Sequence, residues 1–446
     1  MSLNKAQSIV ITLLNVLIVA LVAVILFLPN FLNSRADEPA SGDVVNPPIE
    51  DDPPPEENLH DKYRDAASGN VDGIIRETRL MGNGDEDVVR VFFRDGVAFI
   101  FGNSTVKGLD FDEYGGFLCV VNGAGKILSF TYFGGNITAV CIMPGGYCVA
   151  AGSSLYFVDY LGAKKKIAAI EGACKWLSPE NFGIAAVTQP SSTSLLYTEF
   201  AQNGDEYIKA HSTRIESGFN LEFFACYTFY GSKKMIAART YRLPLYDSIG
   251  FFTFEPGGSS QDYYHGNSAE LSIKPYAVTP YANGYFSVVS RNGVAAILSF
   301  DDGFSSYSVS NLGFSFSDAA LNFVGGKYYA SFARGDGAVT YALDEHLSRT
   351  RVDFLDGILP QCATKLPSGE AMFGGKVYGM GGKSGNALSF ASTDKNSVTF
   401  DITDGTVHAM EYTDSGVIAV VSASGGDALS VPTSGKDIYV LLLDNF

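Results

Sequence analysis

The chain has 446 residues with 31 Lys and Arg against 48 Asp and Glu, a formal net charge of -17. Such a surplus of acid leaves no spare positive charge to neutralise phosphates, so a nucleic-acid partner is excluded. Charged residues make up only 18%, hydrophobic residues 46%, and there are 48 glycines, which favours a turn-dense β globule over a disordered chain.

Residues 9 to 28 read IVITLLNVLIVALVAVILFL, twenty positions without a charge, Gly or Pro. At about 1.5 Å per residue a helix of that length crosses a hydrocarbon core of about 30 Å, so a transmembrane helix is expected here. A signal peptide cut after Ala36 is the competing reading, because Ser34 and Ala36 place small residues at a suitable spacing. The apolar run exceeds the roughly 7 to 15 residues usual for a cleaved segment, which favours the anchor. The amino terminus and Lys5 precede the run and Arg35 alone follows it closely, so residues 1–8 are read as a cytoplasmic tail and everything beyond the helix as extracytoplasmic.

Residues 29–87 read as a stalk. Between positions 36 and 57 lie eight acids, six prolines and no Lys or Arg, a composition that self-repels and prefers extended polyproline geometry. One short helix is possible around Val71 to Leu80.

From residue 88 onward, apolar runs of five to eight residues alternate with Gly, Asn, Asp and Ser, the mark of strands and turns. One phrase recurs: a Gly or Asn turn, an apolar strand, a second turn, and another strand that often ends in an acidic turn, as in PGGYCVAAGSSLYFVDYLG from Pro144 and ANGYFSVVSRNGVAAILSFDDG from Ala282. The turns begin near 145, 182, 231, 284, 326, 369 and 416, a mean period of about 45 residues. Periods of roughly 40 to 50 with four strands each indicate propeller blades, since a single twisted sheet can bury its faces only against neighbours.

The seventh copy ends in KDIYVLLLDNF, which leaves the last blade one strand short. Val88 to Phe93 (VVRVFF) is expected to supply it and close the ring. The stretch from Val97 to Phe133 then divides into VAFIFG, KGLDFD, GFLCVV and KILSFTYF, one further blade, for eight in all, with seven as the alternative. The domain at 88–446 thus resembles a β-propeller in general and no particular propeller family. Trp-Asp repeats are missing, a single Trp176 excludes tryptophan-docked blades, and only GGKVYGMGGKSGNALSF, from Gly374, is similar to a kelch blade.

Six cysteines, at 119, 141, 148, 174, 226 and 362, show no zinc spacing and read as buried thiols. Cys141 and Cys148 flank the Pro144 turn but are not expected to face each other. Five scattered histidines match no metal or triad pattern, and no cofactor is implied. Asp110, Asp112 and Gly115 imitate the start of a calcium loop, but Val121 stands where a bidentate Glu is required. Asn103 and Asn136 head glycosylation acceptor triplets.

The longest turns fall in the fourth blade, at Thr240 to Ser248 and Gly257 to Glu270. They carry Tyr241, Arg242, Tyr246, Tyr263, Tyr264 and His265, aromatic faces beside a donor that suit a sugar ring or a peptide segment. The expectation is therefore a membrane-anchored propeller acting as a binding or scaffold module for a protein or glycan. The rival is a tethered hydrolase with carboxylates in the channel.

Overall fold

A computed structural model describes residues 64–68, 74–80 and, short loop segments apart, 85–443. The described chain is all-β: eight antiparallel sheets, seven of four strands in chain order and one of five. Each sheet's first strand touches the first strand of the next, and that of the eighth touches that of the first. This is an eight-bladed propeller whose first strands are innermost. The blades span residues 86–132, 137–169, 173–216, 220–265, 273–311, 318–351, 358–401 and 406–443. The only helical element among the described residues that packs into the blades is a 3-10 turn, Asp353–Leu355.

Burial runs from blade to blade and has no single centre. Ile100 and Cys119 of blade one meet Ile418 and Val420 of blade eight, Ile184 and Ala186 of blade three meet Cys148 and Leu155 of blade two, and Phe286 of blade five meets Phe332 of blade six. A middle strand is covered on both faces and needs no alternation, which is why Gly146–Ala151 and Gly416–Ala423 are buried at every residue. Outer strands face water and turn polar: Lys164–Ala169 opens with three exposed lysines, which also discourage edge pairing.

The inner strands are edges of their sheets, so they tolerate Pro179, Pro275, Pro280 and Pro360, whose missing N–H would break a central ladder. Seven of the eight also carry one extra residue in a bulge. These residues are Val89, Thr138, Lys175, Phe224, Tyr276, Gln361 and His408. Each sits four or five positions before its strand ends, so the kinks form one level around the ring.

Three expectations are corrected. Val88 to Phe93 does not pair with the C-terminal strand: it lies within Glu86–Arg94, the inner strand of blade one, and pairs with Val97–Ser104. The strand hydrogen-bonded to Asp437–Leu443 is Ile74–Leu80, with Leu80 opposite Ile438 and Ile74 opposite Leu443. That segment is also where a short helix was expected. Its two faces serve different interfaces, Ile74 between blades seven and eight and Leu80 between blades eight and one, because the register shift between Ile74 and Arg76 turns them to opposite sides of the strand. Arg64–Ser68 adds a fifth strand outside it.

The third correction concerns cysteine. All six are free thiols, five buried and Cys362 half-buried. The turn at Pro144 and Gly145 is only two residues long, with Met143 opposite Gly146, and this register sets Cys141 directly opposite Cys148. The segments 9–28, 29–57, KGLDFD and the calcium-loop imitation at 110–114 lie outside the described residues. Among the described residues no helix is long and apolar enough to cross a membrane.

Candidate functional site: an apolar collar at one end of the ring

Consecutive strands in a blade run up and down, so the turns after the first and third strands share one face. The turns after the second strand and the links between blades share the other. The fourth-blade residues belong to this second face. Tyr241 and Arg242 end the strand Lys234–Arg242, and Tyr246 begins Tyr246–Phe254, with Arg242 opposite Tyr246. Tyr263, Tyr264 and His265 lie in the outer strand Gln261–His265, with Tyr264 opposite Phe251 and His265 opposite Gly250. At about 3.3 Å per residue, Gly250 is roughly 13 Å along its strand from Tyr246. The side chains of Tyr246, Tyr263, Tyr264 and His265 are outside what the structure describes.

One side chain in that group has a well-defined setting. Arg239 makes two parallel bonds to Asp247, Nε to Oδ1 and Nη2 to Oδ2, both 2.8 Å, and a third from Nη1 to Glu222 Oε2 at 3.0 Å. Its guanidinium lies 4.7 Å from the centre of the Tyr241 ring. The hydrogen bonds to Asp247 push the Arg239 pKa further up. The Arg239 cation is used internally, so the arrangement stiffens Tyr241 and Arg239 itself is committed to Asp247 and Glu222.

The opposite face has a different chemistry. The penultimate residues of the eight inner strands are Phe93, Ile142, Pro179, Tyr227, Pro280, Phe323, Thr364 and Tyr412, all half-buried or exposed. Seven of the eight are apolar or aromatic, so a collar rings the mouth of the channel at this end. The exposed large hydrophobics among the described residues are Leu128 (50%), Ile142 (52%), Leu161 (83%), Ile208 (51%) and Phe323 (60%). All five stand beside turns of this same face. Soluble surfaces scatter such residues singly, so their gathering on one face is informative.

Two cavities open beside the collar. The larger, of about 950 Å³, crosses blade six from Phe323 and Tyr328 past Leu343 to Arg351 and Phe354. Phe323 and Tyr328 pack with their rings tilted by 34° and centroids 4.6 Å apart, and Tyr329 packs edge-on to Phe373 at 4.9 Å. The Tyr328 hydroxyl donates to Pro280 O of blade five at 2.8 Å, which fixes that ring. The groove exists because the outer strand Arg349–Arg351 has only three residues before the chain leaves in the 3-10 turn. The second cavity, about 520 Å³, lies between blades two and three against Met143, Phe157, Ile167 and Tyr207.

Carboxylates are less organised. Among the described residues no group of three or more His, Cys, Asp or Glu is set to hold a metal ion. Glu411, on the inner strand of blade eight, has its carboxyl pKa raised by burial and by the charge of Asp95. Asp344 closes an outer turn by accepting from the backbone of His346 at 2.9 Å and Ser348 at 2.8 Å, as Asp159 does for Leu161 and Ala163. These acidic turns are structural.

No family description matches the chain and no curated protein is significantly similar to it. Among solved structures it is similar to BamB from Moraxella catarrhalis, with 10% identity and a TM-score of 0.47 over 82% of this chain and 97% of that one. The propeller of Dos1 gives 12% identity and a TM-score of 0.48, covering 82% of this chain and 94% of that one. The WD40 domain of SCAP from fission yeast gives 10% and 0.47, covering 86% and 96%.

Proposed function

We propose that the chain is a single-span membrane protein whose extracytoplasmic propeller is a binding or scaffold module, taking a protein or carbohydrate partner on the apolar collar. The observation that carries this is the segregation of apolar side chains: the five exposed large hydrophobics among the described residues and two cavities, of about 950 and 520 Å³, fall on one face. A stiff ring presents that surface with little ordering cost, and aromatic anchors in pre-formed pockets dominate the energetics of recognition. The blade-four residues Tyr241, Arg242, Tyr246, Tyr263, Tyr264 and His265 offer a second surface on the other face. Membrane attachment rests on the charge-free run at 9–28 and the acidic, Pro-rich segment behind it.

Cross-linking on intact cells followed by capture of the full chain tests both parts. Phe323→Asp combined with Leu161→Asp should abolish the captured partner, while Tyr241→Ala with Arg242→Ala leaves it in place. The reverse pattern moves the site to blade four. Protease added outside intact cells should cut within residues 36–57, and protection there until lysis would reverse the orientation.

A hydrolase reading has one observation in its favour, the raised Glu411 carboxyl beside Asp95 on the same face. Glycosidase and esterase substrates turned over by the wild type and not by Glu411→Gln would establish it.

A further inference from the structure

The inner hairpin of blade two brings together two thiols that are seven positions apart in sequence. We propose that Cys141 and Cys148 are a thiol-oxidation site, joined by a cross-strand disulfide when the chain folds in the presence of a disulfide oxidant. Met143 and Gly146 flank the two-residue turn, and two steps back along both strands Cys141 stands opposite Cys148. The turn-flanking pair is a hydrogen-bonded one, so the cysteine pair is too, which gives a Cα separation of about 5.5 Å, near the middle of the ~4.4 to 6.8 Å that disulfides span.

Direct opposition also fixes the direction of the side chains. Residues opposite each other in a ladder point to the same side of the sheet, and both cysteines belong to the cluster packed between blades two and three, with Cys174 in it. Ile142, between them in alternation, is on the other side and 52% exposed. Both thiols therefore enter the same interface from facing positions, beside Cys174.

The chemistry is thiol–disulfide exchange with an external disulfide, either a small-molecule disulfide or a protein oxidant. One cysteine, as thiolate, attacks a sulfur of the oxidant and releases one thiol. The second cysteine then attacks the mixed disulfide and releases the other thiol. The chain loses two protons and two electrons, and the oxidant's disulfide becomes two thiols. The neighbouring Cys141 thiol and then burial push the Cys148 thiol pKa well up in the finished fold. Exchange therefore belongs to the stage at which the short hairpin has formed and blade three does not yet cover it.

The test refolds the full chain in detergent from reducing denaturant, once with oxidised glutathione and once with reduced glutathione only. Each sample is acid-quenched, unfolded, alkylated without reduction, digested and weighed. Oxidative refolding should leave four of the six cysteines alkylated and a Cys141–Cys148 segment two mass units light. Cys174→Ser should keep that link, and Cys141→Ala should abolish it and leave Cys148 alkylated. Six alkylated cysteines in an oxidatively refolded chain that melts cooperatively, or a link to Cys174, overturns the proposal. Should Cys141→Ala fail to fold, the wild type and Cys174→Ser decide the question alone.

Discussion

Asn103 of blade one holds the backbone of Ile137 in blade two from both sides: its Nδ2 donates to Ile137 O at 2.9 Å, and its Oδ1 accepts from Ile137 N at 2.7 Å. The amide acts as a substitute ladder rung at a point where two separate sheets meet. Related links recur around the ring. Gln189 donates to Leu221 O at 2.7 Å, Asn322 to Pro360 O at 3.0 Å, and Gln361 accepts from Val407 N at 2.9 Å.

Removal of the rung strands a backbone donor and acceptor in a partly buried seam. Asn103→Ala should therefore lower unfolding free energy by about 1 to 3 kcal/mol, read from urea unfolding with an unchanged slope. Asn103 also heads a glycosylation triplet, and its amide nitrogen is the atom a glycan would occupy. Produced in a glycosylating host, the natively folded chain should carry sugar at the exposed Asn136 and none at Asn103.

The eighth blade gives the propeller an acid-sensitive point. His408 occupies a bulge of the inner strand, with Nε2 and Ser422 Oγ 2.7 Å apart. Burial, with Lys436 and Lys376 adding to it, lowers its pKa from 6.5 to about 4. Between those two values the unfolded chain binds a proton that the folded chain refuses, so stability falls as pH drops through that window and is fully present above it. The difference amounts to an upper bound on the order of 3 kcal/mol. His408→Gln should flatten the dependence of melting temperature between pH 6.5 and 4 relative to wild type. An unchanged slope would assign the acid sensitivity elsewhere.

The blade count was legible because each period carries a turn that needs Gly or Asn, with apolar strands on both sides. The assignment of strands within it was less so. Val88 to Phe93 reads as a buried strand from its own residues, but an apolar run does not name its partner. KGLDFD was counted as a strand of blade one, and that count compensated for lending VVRVFF to blade eight. Ile74–Leu80 hid for a different reason. Glu77 and Arg79 are buried there at 4% and 5%, and Arg79 Nε lies 3.9 Å from the fully buried Asp437 Oδ2. Three charges in seven residues, Arg76, Glu77 and Arg79, suggest an exposed helix until a countercharge from the other end of the chain is placed beside them.

The collar left a trace in the sequence that loop length obscured. Phe323 stands two residues before a Gly-Gly turn, and Ile142 and Tyr412 hold the corresponding place before theirs. Only the ring turns these scattered positions into one surface. The long turns of blade four drew attention because loops often carry function, yet three of the six residues chosen there lie in an outer strand.

The last prediction concerns what holds the ends of the chain together. Ile74–Leu80 pairs with Asp437–Leu443 from Ile438 to Leu443 and also grips blade one, where Thr78 Oγ1 donates to Gly125 O at 3.0 Å. Gly125 has φ +71, and a Cβ there would meet Thr78 Oγ1 at 2.2 Å, so the close approach depends on glycine. Deletion of residues 58–84 should open the seam between blades eight and one, expose the edge of the C-terminal strand and leave Asp437 buried without Arg79. Ladder bonds lost at about 0.5 to 1.5 kcal/mol each, with Ile74 and Leu80 burial at roughly 1.5 to 3 kcal/mol apiece, rival the ~5 to 15 kcal/mol margin of a typical domain. That chain should aggregate or lose its cooperative melt. Deletion of residues 29–57 should leave the melting temperature within about a degree, because an acidic, Pro-rich composition is that of an extended spacer. Equal melting of both deletions would mean that Ile74–Leu80 does not close the ring.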